Sequence, residues 1–181
     1  MNPTDLIRKL HQTLPLVRQW VEDTLVSHRE QAVPVDREKY LRLAHVFPAA
    51  LLKKTGVVTV TEAPPFPPLS RMGLPELARF EAMPITGVTY KDIFFVRRGQ
   101  RTESLYFHEI VHVVQWDHLG VDRFLMAYGA GLMQFGYRRS PLEAMAYAMQ
   151  DDFDRANLPE DLMGGIQQQT EAIWKGVAAL F

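Results

Sequence analysis

Apolar residues at Leu6, Leu10, Val17, Val21 and Leu25 recur near the 3.6-residue period and predict an amphipathic helix. Asn2 and Pro3 supply its start, a capping side chain followed by proline at the first helical position. Pro15 is expected to kink or split it. Asp36 opens a second helical stretch through Leu41 and Phe47, and Pro48 to Lys54 adds another turn or two, closed by Gly56. The β-branched run Val57 to Thr61 then reads as a strand, ended by the proline-rich loop Ala63 to Pro68. Pro75 to Met83 predicts a short helix, and Ile85 to Val96 has strand character, clearest at Ile93 to Val96.

After the polar turn Arg97 to Arg101, Thr102 or Ser104 can cap a helix that His118-Leu119-Gly120 ends. A further helix follows over Val121 to Tyr137, where Ala127, Gly129, Ala130 and Gly131 would let a neighbouring helix approach closely. Ser140-Pro141-Leu142-Glu143 opens the next, running to about Arg155, and the last spans Pro159 to Leu180. The pattern therefore predicts one mostly helical α+β domain over residues 1–181. Residues 1–56 form a helical N-terminal part, and 57–181 hold the strands and the remaining helices.

Composition narrows the function. At 181 residues with 47% hydrophobic content, the chain suits a single core. Its 20 basic and 21 acidic residues are scattered, which argues against nucleic acid as a partner. No segment is long and apolar enough to cross a bilayer, and the N-terminus lacks the continuous apolar run of a signal peptide. The absence of cysteine removes disulfides, thiolate metal sites and cysteine nucleophiles, and a cytoplasmic location is expected.

The chemistry concentrates at His108-Glu109-Ile110-Val111-His112, an HExxH string inside an apolar helical run. Positions four apart share a helix face about 6 Å along the axis, so both imidazoles can reach one ion. Catalytic zinc takes three protein ligands and a water whose pKa it lowers to about 7. Glu109 is placed to take that proton as general base. Burying these side chains without a partner or a metal would be costly. The competing reading is a structural His/Glu cluster.

A third ligand is needed. His118 has the offset of the third histidine in HExxHxxGxxH, but Gln115 stands where that pattern has glycine. If the helix continues, His118 lies about 240° around the axis from His112. Glu143 lies on a separate helix, and Ser140-Pro141-Leu142-Glu143 is equally a capping box, with Glu143 reaching back to Ser140. Asp117, Asp122 and Asp151 are further candidates, as ligands or as residues that orient a zinc-bound imidazole.

HEIVHVVQW followed by PLEAMAYAMQ resembles small gluzincin-like metallopeptidase domains of bacteria, over about residues 88–154. The resemblance implies a zincin-like fold with a small antiparallel sheet beside the HExxH helix in residues 57–181, a zinc ion held by His108, His112 and Glu143, and hydrolysis of a peptide or protein substrate. It also makes Ile93 to Val96 an edge strand for an extended peptide. The chain departs from thermolysin-like members at Tyr147, where they carry an acidic residue. Tyr147 and Tyr137 are candidate donors to a tetrahedral oxyanion. Two alternatives stand beside the peptidase. One is a non-catalytic or self-covered zincin-fold binding module, since the N-terminal helices and the proline-rich loop are long enough to cover a cleft. The other is a zinc hydrolase of a non-peptide amide.

Overall fold

The computed structural model describes residues 3–179. Asn2 and Leu180, where two helix ends were expected, lie outside the described residues, as does the side chain of Leu6. The fold is α+β and mostly helical. Helix α1 (Pro3–His28) leads into strand β1 (Val33–Pro34), short helices α2 (Leu41–Val46) and α3 (Ala49–Lys54), and strand β2 (Gly56–Val60). After the proline-rich segment come α4 (Ala78–Glu81) and the strands β3 (Gly87–Tyr90) and β4 (Ile93–Arg97). The chain ends in α5 (Glu103–Phe135), α6 (Pro141–Asp154) and α7 (Leu162–Ala178). No described helix is long and apolar enough to cross a membrane.

The sheet order is β1-β2-β4-β3. Its outer pairs are antiparallel, but β2 and β4 run parallel, Val58 opposite Phe95, so the sheet is mixed where an antiparallel one was expected. The long connection through the proline-rich segment and α4 permits the parallel pairing, which a hairpin could not. β4 is therefore an inner strand, hydrogen-bonded on both sides, and cannot be the peptide-binding edge that Ile93 to Val96 suggested. The edge next to it is β3. The stretch read as one strand folds at Lys91 (φ 56°) into a hairpin.

Both sheet faces are covered, which explains the uninterrupted apolar run in β4. Ile93 and Phe95 join a core with α1 and the distal part of α5. Phe94 and Val96 join a second core with α2, α3, α6, α7 and the proximal part of α5. Residues 3–56 contribute β1 to the sheet and α1 to a core. Pro15 does not split α1, which runs on across it. Leu10, Val17, Val21 and Leu25 are buried on both sides of the proline and hold the helix to one face.

Helix α5 is the axis of the molecule. Thr102 caps it by accepting from the Leu105 amide at 3.1 Å. Every residue from Tyr106 to Trp116 is buried. At Gly120 the backbone takes φ 71° and ψ 174°, which breaks α5 into two limbs where the sequence predicts a helix end. The distal limb uses its small residues for close packing. A methyl on Gly129 would come within 2.8 Å of Leu10, and one on Gly131 within 2.4 Å of Ser140. That second contact brings the start of α6 against α5.

Candidate metal centre

The proximal limb of α5 places His108 and His112 one turn apart, and the first turn of α6 brings Glu143 to face them. Among the described residues, these three form the one cluster of His and acidic side chains with metal-site spacing. His108 Nε2 and His112 Nε2 are 3.1 Å apart, and Glu143 Oε2 lies 3.4 Å and 3.6 Å from them. Ligand atoms about 2.05 Å from a tetrahedral ion stand about 3.3 Å from one another. The three edges have that size. Glu143 Oε2 is buried and accepts no hydrogen bond, which leaves a carboxylate oxygen aimed at two imidazoles with its lone pairs unspent. The donor set therefore fits a zinc ion.

The capping-box reading of Glu143 does not hold. Ser140 makes no side-chain capping bond, and its amide donates to Tyr137 O at 3.0 Å. Its hydroxyl is buried without a partner, packed at the Gly131 contact. Glu143 instead accepts from the Tyr128 hydroxyl through Oε1 at 2.6 Å, which turns Oε2 towards the histidines. Burial would raise the Glu143 pKa, but His112 and His108 outweigh it and hold the carboxyl far below the ordinary range. Tyr128 is pushed well up, by burial and then by Glu143, and stays a hydroxyl donor.

Gln115 joins the two ligand helices. His112 Nδ1 donates to Gln115 Oε1 at 2.7 Å, which fixes the tautomer that bares Nε2. Gln115 Nε2 donates to Leu142 O, next to Glu143, at 3.1 Å. Burial by itself would lower the His112 imidazole. Glu143, Glu109 and the bond to Gln115 outweigh it and push it up to about 9. His108 Nδ1 is buried without such a partner. Its ring rests against Tyr147, centroids 4.5 Å apart, and Arg138 lies over the other ring 4.8 Å from its centre.

Glu109 lies against the edge strand. The Thr89 hydroxyl donates to its Oε2 at 2.7 Å. Its Oε1 faces Gly87 so closely that a methyl there would sit 2.2 Å away. The glycine is required for space. Burial raises the Glu109 pKa, opposed by His108, His112 and the bond from Thr89.

The other candidates lie elsewhere. His118 is no ligand here. As the helical angle predicts, it turns away and pairs with Glu171 on α7 at 3.1 Å. Asp117 pairs with Lys54, Asp122 with Arg18, and Asp151 with Arg155 at 3.9 Å. Tyr137 lines the same space as Glu109, His112 and Glu143, and burial followed by the Glu143 charge pushes its hydroxyl up. Tyr147 lies instead against His108.

No known family model, curated protein or solved structure matches the chain. Its chemistry is read from its own residues. Sequence reasoning missed Gln115, Thr89 and Tyr128 as partners of the site. Only Gln115 left a signal, since a residue three after His112 shares its helix face.

Proposed function

We propose that the chain is a zinc-dependent metallopeptidase of gluzincin-like type, with Zn²⁺ held by His108, His112 and Glu143. The reading rests above all on the three ligand atoms 3.1 Å to 3.6 Å apart, one of them an orphaned carboxylate oxygen. Bound zinc would supply a Lewis acid that polarises a carbonyl and acidifies water near neutral pH.

The chain's own residues do the rest. Glu109 takes the proton of the attacking water and passes it to the leaving nitrogen. Thr89 anchors Oε2, so Oε1 is the oxygen left to exchange the proton. The raised pKa of Glu109 suits a group that must hold a proton briefly. Gln115 and Tyr128 orient His112 and Glu143. Tyr137 is assigned as donor to the developing oxyanion, because it faces the cavity that Glu109 and His112 line. Tyr147 is assigned to hold the His108 ring. The bond cut is a peptide-type amide, and the burial of the centre sets the size of the molecule that can carry it. A cytoplasmic setting agrees with the cysteine-free composition.

The test is direct. Purified protein is expected to carry close to one zinc per chain and to hydrolyse amide bonds in a mixed library of peptides and capped amino-acid amides. Glu109→Gln should keep the zinc and lose about 10²- to 10⁴-fold in rate. Protein that takes up no zinc contradicts the proposal. One observation favours a second reading, a zincin-fold module covered by its own segments: His108, Glu109, His112 and Glu143 are each 5% exposed or less. Zinc-loaded protein that cleaves no amide of any size would support it.

A further inference from the structure

The burial of the centre has a shape. From Glu109, His112 and Glu143 a narrow cavity, with about 80 Å³ open to a water-sized sphere, runs between α1, the proline-rich segment, β3 and the distal limb of α5. That is room for a few waters or a short hydrocarbon chain. Its walls away from the centre are apolar, with Leu14 and Val17 from α1, Phe66 and Leu69 from the proline-rich segment, and Phe124 and Leu132 from α5. Among the described residues, no lysine, arginine or aspartate lines it. The polar groups gather where the ligands are: Thr89, Tyr128 and Tyr137 beside Glu109, His112 and Glu143. Elsewhere on the wall the polar side-chain atoms belong to Thr13, to Tyr90, whose hydroxyl donates to Pro65 O, and to Trp116, whose Nε1 donates to Thr89 O.

These features bear on what the site can take. An extended polypeptide needs an open groove flanked by a free strand edge, and here α1 and residues 66–74 close that side. Away from the centre, a charged group of either sign would lose its hydration and find no counter-ion, because the charged groups among the described lining residues, Glu109, His112 and Glu143, all stand at the ligand end. An uncharged hydrocarbon group gains on entry, at about fourfold in affinity per CH₂ buried.

We infer that the cavity binds an uncharged apolar group next to the scissile carbonyl, and that the substrate is a small apolar amide enclosed by α1 and the proline-rich segment. This rests on the zinc-hydrolase reading for the bond that is cut. The binding of the chain rests on the cavity alone. The apolar group could belong to an acyl amide or to a capped hydrophobic amino acid, which share this chemistry.

The experiment measures binding of N-methyl alkanamides, from propanamide to octanamide, to metal-free and zinc-loaded protein by calorimetry. Affinity should rise about fourfold per carbon over the first members and then stop rising when the cavity is full. Leu14→Ala should move that limit to a longer chain by at least one carbon, a gain that misfolding cannot mimic. Leu14→Trp should flatten the series while zinc content and the thermal melt are kept. N-acetyl-leucine methylamide and N-acetyl-phenylalanine methylamide, run beside hexanamide, separate the two sources by which binds more tightly. A flat series on folded wild-type protein overturns the inference, as does equal affinity for a chain ending in carboxylate, or tighter binding of a ten-residue peptide than of the capped amino acid. Zinc uptake with a flat series would sink the cavity and leave the metal reading. A length-dependent series without zinc uptake would do the reverse.

Discussion

Replacing Gln115 by leucine roughly keeps the volume of a fully buried side chain and removes its hydrogen bonds to His112, Leu142 and the Met145 sulfur. Leu142 O lies in the first turn of α6 and still has the helical amide of Ala146 available, so its loss is small. His112 Nδ1 is left buried without its acceptor. An unmet buried polar group costs about 1–3 kcal/mol, which sets the expected loss of metal-free stability in urea melts. Zinc affinity should fall about 10- to 100-fold, because the imidazole loses both its orientation and the partner that raises its basicity. Competition against a chromophoric chelator reads this without any knowledge of substrate. Gln115→Glu restores an acceptor for Nδ1 and should hold zinc more tightly than the leucine variant, although it gives up the donor to Leu142. Zinc affinity of Gln115→Leu within about threefold of wild type would refute the reasoning, and so would equal weakening by leucine and glutamate.

Gly87→Ala places a methyl 2.2 Å from Glu109 Oε1, so the carboxylate must move by about 1 Å. Hydrolysis should drop about 10²-fold with zinc content unchanged, and full activity would show that Glu109 is not the base. His118→Ala should leave zinc stoichiometry and affinity intact, because His118 pairs with Glu171; loss of zinc would make it a ligand after all. In the metal-free protein the His112 pKa stands at about 9, above the ordinary 6.5. Its pairing with Glu143 therefore contributes stability that is fully present below about pH 6.5 and lost as pH rises through about 9. Zinc must displace that proton. Loading at pH 7 should release about one proton from His112, and affinity should rise about tenfold per pH unit until it levels near pH 9. Calorimetry in buffers of different ionisation enthalpy measures the release, and pH-independent affinity from 6 to 9 would contradict it.

Local patterns carried far in this chain. The spacing of His108 and His112 placed both imidazoles on one helix face, and Gly120 ended the regular helix where its left-handed backbone now stands. Long-range features left no local mark. Strand β1 is two residues long and includes a proline, so its pairing with β2 depends on the fold around it. The parallel pairing of β2 with β4 is likewise set by the path of the intervening segment. Glu143 shows the boundary most sharply. Ser140 to Glu143 satisfies a capping pattern and is not used as one, because Tyr128 and the two histidines hold the carboxylate more favourably. Thr89 and Tyr128 lie 20 and 15 residues from the side chains they hold, on other elements or beyond the helix break. Spacing could not have joined them.

The central claim is a zinc ion held by His108, His112 and Glu143, and X-ray absorption on zinc-loaded protein tests it most directly. The account predicts two imidazole nitrogens at about 2.0 Å with oxygen in the remaining positions. Glu143→Gln should alter the oxygen shell, and His118→Ala should leave the spectrum unchanged. Zinc bound by three imidazoles, or a spectrum indifferent to Glu143→Gln, would contradict it.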